Sequence, residues 1–240
     1  YSHRFVNPIF RLFQSELETV YEEKNRAMDN MFRNLFATYL KQFFKEHPYG
    51  QQTVLGSVDH LKNPSLTKMR EYYDTYYVAN NMALILTGDI YPDEILPLIE
   101  AKFGVWKSGE IQAPIDITEQ PFNGREKISR RMTPIKVGFM GYRTVPVGHD
   151  DEGALALSLQ LLTNESKTGL IDELVVDRKI MEAGAFNMDY VDMGAANFYF
   201  LPKLFFQSLT KAENLVRGQI DKLKSGDFDD EYFDAVKLTM

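Results

Sequence analysis

Apolar residues recur at helical spacing from the start of the chain. Phe10, Phe13, Leu17, Tyr21, Met28, Met31 and Leu35 fall on one face of a 3.6-residue period. With a second helical stretch that runs to about Glu46, they predict long helix over residues 8–46. Pro8 suits a first turn, where its missing N–H costs nothing. His47-Pro48-Tyr49-Gly50 is a turn by composition. Ser65 or Thr67 is placed to cap a helix carrying Met69, Tyr72, Tyr73 and Tyr76. The period then changes. Met82-Ala83-Leu84-Ile85-Leu86-Thr87, closed by Gly88-Asp89, is a short continuous apolar run and predicts a buried strand. Pro92 to Phe103 predicts a helix closed by Gly104.

Residues 107–127 change character, with Gly109, Pro114, Pro121 and Gly124 among scattered polar positions. They predict a boundary, with a linker at 109–127 between units at 1–108 and 128–240. Beyond it, Ile135 to Tyr142 suits a strand, while Asp150 to Leu162 and Gly169 to Met181 suit helices. Phe186 to Phe200 suits strands with a turn at Gly194, and residues 210–224 suit a helix. The final twelve residues open on Asp229-Asp230-Glu231 and run as a helix to Met240 without a Gly or Pro terminator. That ending, and a start without Met, predict a piece excised from a longer protein. Helices and strands alternate on both sides of the boundary, so the class is α/β (α+β) in two related units.

Composition narrows the chemistry. Lys and Arg number 27 against 34 Asp and Glu, a formal net charge of −7, which argues against a nucleic-acid surface. There is no cysteine, which excludes disulfides, thiolate nucleophiles and Cys-based metal sites. No stretch approaches the roughly 18 to 20 apolar residues of a membrane span. The 17 Phe and 13 Tyr promise a core rich in large rings. The four histidines, His3, His47, His60 and His149, include no i, i+4 pair able to chelate a metal from one helical face. G-x-S-x-G, P-loop and G-x-G-x-x-G patterns are absent.

One feature of the first helix is suggestive. Glu16 and Glu23 are seven residues apart and so differ by about 20° around the helix, bordering the apolar face beside Val20 and Ala27. Glu18 and Glu22 fall on the opposite, solvent side. Two carboxylates so aligned suit one oxygen ligand for a metal with a supporting partner. They equally suit a solvated acidic flank, with pairs such as Glu23 to Arg26. Spacing alone leaves both open.

Glu16-Leu17-Glu18-Thr19-Val20-Tyr21-Glu22-Glu23, followed by Asp29, resembles the glutamate helix of the pitrilysin/insulinase (inverzincin) zinc metallopeptidases. In that family the helix follows an H-x-x-E-H motif by about seventy to eighty residues. The resemblance continues through His47-Pro48-Tyr49-Gly50, Gly56, Tyr72-Tyr73 with Tyr76-Tyr77, and Asn80 to Asp89. It extends through Phe103-Gly104-Val105-Trp106, Gly141-Tyr142-Arg143 and the helix before Leu170. It covers essentially the whole chain.

The resemblance implies two homologous pitrilysin-like units, each an antiparallel-rich sheet packed with helices and both incomplete. Residues 1–108 would be the C-terminal part of the first peptidase-like domain and 128–240 the N-terminal part of the second. It implies that Glu23 is the third zinc ligand and Glu16 the neighbouring carboxylate that supports the site. The H-x-x-E-H segment, with its general base, is not in this chain, so no catalytic residue is expected within it. The parent would be a zinc (Zn2+) metalloendopeptidase, hydrolysing peptides or unfolded proteins in a chamber closed by a homologous second half or partner subunit. The alternative is a catalytically inactive homologue acting as scaffold or substrate-presenting partner. The family's Arg and Tyr seven residues apart would match Arg178 and Ala185, where the Tyr is missing and the pair is not assigned. Phe198, Tyr199, Phe200, Phe205 and Phe206 would form either a peptide-contacting inner wall or a plain core strand. The family and the missing cysteines suggest a bacterial periplasm or cell envelope. Neither nucleic acid nor a membrane span is implied.

Overall fold

The computed structural model describes residues 1–131 and 134–240. The chain divides into unit 1, Tyr1–Glu126, and unit 2, Lys127–Met240.

Unit 1 contains α1 (Ser2–Val6), α2 (Phe13–Asp29), α3 (Met31–Phe43), α4 (Pro48–Gln51), α5 (Val58–Lys62), α6 (Leu66–Tyr76) and α7 (Pro92–Phe103). The long helix read from periodicity is cut at two places. Leu12 turns left-handed (φ 54°), so α2 starts at Phe13 rather than at Pro8. Asn30 takes extended backbone between α2 and α3, and its side chain accepts from the Arg33 amide at 2.9 Å. A capping side chain thus satisfies a donor that the helix leaves open, and periodicity does not register the break. Ser65 caps α6 in the same way, accepting from the Lys68 amide at 3.2 Å.

The buried apolar residues of unit 1, among those described, are Phe43, Phe44 and Val78. Phe43 meets Phe44 edge-on at 4.9 Å and lies 5.6 Å from Phe122. Residues 119–126 are tied to the end of α3. Buried Glu119 accepts from the Glu46 and His47 amides at 2.7 and 2.8 Å, and Lys45 pairs with Glu126 at 2.6 Å.

The run 82–87 departs from expectation. Met82 has extended backbone, yet the run forms no strand, and Met82, Leu84, Ile85 and Leu86 are 40, 49, 83 and 44% exposed. A strand needs a neighbour to close its ladder. Among the described residues, unit 1 holds no other strand, so the antiparallel-rich sheet expected there is not formed.

Unit 2 contains β1 (Gly138–Thr144), α8 (Glu152–Leu162), α9 (Asp172–Val176), β2 (Glu182–Met188), β3 (Gly194–Leu201), α10 (Leu209–Ser225) and α11 (Asp230–Thr239). The strands form an antiparallel sheet in the order β1-β3-β2, with registers Gly138↔Phe200 and Glu182↔Leu201. Helices α8 and α9 pack on β2, α10 on β3, and α11 on α8. Met140, Leu162, Ile171, Leu174, Ile180, Phe198, Phe200, Val216 and Ile220 belong to the core between them. The class is therefore mixed, helices with a small antiparallel sheet.

Two expectations in unit 2 are corrected. The helix expected over 169–181 shrinks to α9, because Arg178 turns left-handed (φ 55°) and the Lys179 and Ile180 amides both bond back to the Leu174 carbonyl. Gly194 opens β3 instead of forming the turn. The aromatic series also divides. Phe198 and Phe200 are core residues, whereas Phe205 and Phe206 are 93 and 95% exposed beyond the end of β3.

Candidate functional site

Helix α2 carries both carboxylates singled out in the sequence. Phe13, Leu17, Val20, Tyr21, Lys24 and Ala27 are half-buried and form its packed stripe, which faces α3 and α5. The Lys24 ammonium donates to the Gly56 carbonyl, and Lys62 lies 5.5 Å from the centre of the Tyr21 ring. Helical geometry sets Glu16 and Glu23 on one flank of this stripe, next to Val20 and Ala27, about 10 Å apart along the axis. Both are exposed. At that separation they do not share one ion as direct ligands, since zinc–oxygen bonds are about 2 Å.

The opposite flank is not simply solvent. Gln14, Leu17, Glu18, Tyr21 and Glu22 line an open groove with Leu61 and Lys62 of α5. Glu22 also accepts from the Asn25 side chain at 3.5 Å. The groove joins residues some forty positions apart, so nothing in the local pattern announced it.

The histidines do not converge on α2. His47 is buried against Tyr49 (3.9 Å between ring centres), its Nδ1 accepting from the Tyr49 amide at 3.3 Å. His149 Nδ1 accepts from the Asp151 amide at 3.1 Å. His3 and His60 are exposed. Among the described residues there is no group of three His, Cys, Asp or Glu able to hold a metal ion. Catalytic zinc takes three protein ligands, so these residues by themselves do not fit a zinc centre. Nor do they supply the substrate-polarising pair: Arg178 is exposed in its left-handed turn and Ala185 lies within β2. No helix among the described residues is long and apolar enough to cross a membrane.

Residues 64–240 match the family model of the Peptidase M16 inactive domain. The chain belongs to the M16 peptidase family. Helix α2 precedes the matched residues, and the inactive-domain description agrees with the missing metal cluster. The M16 chain is 24% identical over 180 residues to the uncharacterized zinc protease YmfH of Bacillus subtilis, covering 75% of this chain and 41% of YmfH. A protease structure from Helicobacter pylori superposes with a TM-score of 0.78 at 22% identity, over 95% of this chain and 56% of that one. The first half of the periplasmic protease PqqL from Escherichia coli superposes with a TM-score of 0.72 at 17% identity, over 99% of this chain and 52% of that one. The chain spans about two fifths of the length of the curated relatives it matches.

Proposed function

We propose that this M16 chain is part of a zinc-dependent metalloendopeptidase that hydrolyses peptides or unfolded proteins in an enclosed chamber. Residues 1–108 are the C-terminal part of one peptidase-like domain, 109–127 a linker, and 128–240 the N-terminal part of a second. A homologous second half or partner subunit closes the chamber. Glu23 supplies one zinc ligand, Glu16 supports it from the same flank of α2, and the remaining ligands and the general base lie outside these residues. The observation that carries this reading is the M16 match over 64–240 together with a carboxylate pair held open on one flank of α2. A periplasmic or cell-envelope setting is part of the proposal, supported by the description of PqqL.

The test is zinc per chain in the complete gene product, by elemental analysis, with Glu23→Gln beside wild type. One zinc per chain that falls at least tenfold in the variant is expected, while the 240-residue chain alone shows no melting shift with micromolar zinc. Zinc unchanged in Glu23→Gln refutes the ligand role. No zinc in either protein replaces the enzyme with a catalytically inactive scaffold.

A further inference from the structure

We infer that residues Met82–Thr87 are the docking edge for β-strands supplied by polypeptide outside these 240 residues, which take this run as a central strand of their sheet. The run carries apolar side chains on both faces: Met82, Leu84 and Leu86 on one, Ala83 and Ile85 on the other. Strands with one wet face alternate polar and apolar residues. Continuous apolar runs belong to strands covered on both faces. Here neither cover nor ladder partner is present. The first face is 40 to 49% exposed, Ile85 is 83% exposed, and no strand pairs with the run among the described residues.

The run is nevertheless held for pairing. Just before it, the Trp106 indole donates to the Tyr77 carbonyl at 3.2 Å and the Ala79 amide to the Lys107 carbonyl at 3.0 Å. The Asn80 side chain both donates to the Gly109 carbonyl and accepts from its amide, each at 2.9 Å. At the far end Gly88, at φ 148°, turns the chain toward α7. An unpaired apolar edge is an aggregation hazard that native proteins cover.

The occupant follows from size and geometry. The chain covers 41 and 43% of the curated relatives it matches, so polypeptide exists in such proteins to supply strands. A second copy would make only a two-stranded ribbon of short strands, marginal in water and still bare on both faces. The inference shares with the proposed function the premise that these residues join a larger protein, and it is independent of zinc.

Hydrogen exchange read by mass spectrometry tests it on the 240-residue chain and on the complete gene product. The amides of 83–87 are expected to exchange within seconds in the former and at least a thousandfold slower in the latter. Equally fast exchange in both overturns the inference. Protection in the 240-residue chain that rises with its concentration identifies a second copy as occupant and also overturns it. Ile85→Arg provides a second readout: it leaves the melting temperature of the 240-residue chain unchanged and lowers that of the complete product by several degrees. No change in the complete product overturns the inference. Zinc measured on the same samples separates the two proposals, because strand protection without zinc sinks only the metal reading, and zinc without protection only this one.

Discussion

Asp172 is the perturbation that most directly probes how unit 2 is held together. Its carboxylate is 1% exposed and organises the connection from α8 to α9. One oxygen accepts from the Thr163 hydroxyl at 3.1 Å, the other from the Asn164 and Gly169 amides at 2.9 and 3.2 Å. The Asn164 side chain extends the network, accepting from the Thr168 amide and donating to the Tyr232 hydroxyl, each at 3.2 Å. Lys167 approaches at 3.5 Å but is 62% exposed, so solvent screens that contact to a minor contribution. Asp172→Ala leaves backbone donors facing a cavity. Each lost bond to a charged acceptor is worth about 1.5–3 kcal/mol taken singly, but partial relaxation and rehydration make the sum less than additive. The expected loss is about 3–5 kcal/mol. In a unit of this size each kcal/mol moves the melting temperature by about 3–6 °C, so the expected drop is about 10–20 °C. Asp172→Asn keeps the shape and one acceptor oxygen, and loses about half as much. Urea titration followed by far-ultraviolet circular dichroism measures all three proteins. A loss below about 1 kcal/mol for Asp172→Ala would refute the claim that this carboxylate organises the connection.

Two further outcomes follow from packing and titration. Gly169→Ala places a Cβ 2.5 Å from the Leu162 carbonyl oxygen and 2.7 Å from the Thr163 Cα, backbone atoms that cannot swing aside, and is expected to cost about 1–3 kcal/mol. Gly153→Ala, in α8 with nothing within 4 Å of the new methyl, is expected to stabilise by up to about 1 kcal/mol, so thermal shifts of the same sign in both would contradict the packing argument. Tyr39, Tyr73, Tyr190 and Tyr232 have phenol pKa values pushed up, chiefly by burial, with Tyr77 and Asp74 adding to the effect at Tyr73. The folded state favours the neutral phenol, so this contribution is intact below the ordinary value near 10 and is lost as pH rises above it. Melting temperatures should fall between pH 10 and 11.5, with phenolate absorbance at 295 nm appearing as the protein unfolds. A flat profile across that range would count against it.

Local signals in the sequence were legible where the chain provides its own partner. Pro92 opens α7 and Gly104 follows its last residue, and the apolar runs before Tyr142 and up to Leu162 became β1 and α8. Ser65 caps α6 because a hydroxyl beside an open helix end needs no distant help. The errors arose where tertiary contacts or single dihedrals decide. Apolar periodicity passed through Leu12 and Asn30 unbroken, since neither disturbs a 3.6-residue count, yet one backbone angle at each ends a helix. Arg178 did the same to the helix expected over 169–181, and no local residue pattern forecasts a left-handed arginine. The five aromatics from Phe198 to Phe206 looked alike in composition, but only Phe198, Tyr199 and Phe200 lie in β3. At α2, angular spacing placed Glu16 and Glu23 beside Val20 and Ala27. It could not show the groove along Glu18 and Glu22, whose other wall is Leu61 and Lys62.

The two units differ in a way that bears on function. Unit 2 joins three strands and its helices around one buried apolar cluster, and its buried carboxylates Asp172 and Glu213 are engaged in hydrogen bonds and ion pairs. Its polar interior is used for folding. Unit 1 has the opposite character: α2 contains no buried residue, and an apolar run stands unpaired. Burial of apolar surface is the main term that offsets chain entropy, so a segment this poorly buried gains most of its order from whatever covers it. A ligand such as Glu23 on that kind of element would be fixed in place only when the rest of the protein assembles around it. Metal binding and completion of unit 1 would then be thermodynamically linked, each stabilising the other. The same coupling explains why the 240 residues can belong to a peptidase family while offering no metal site of their own.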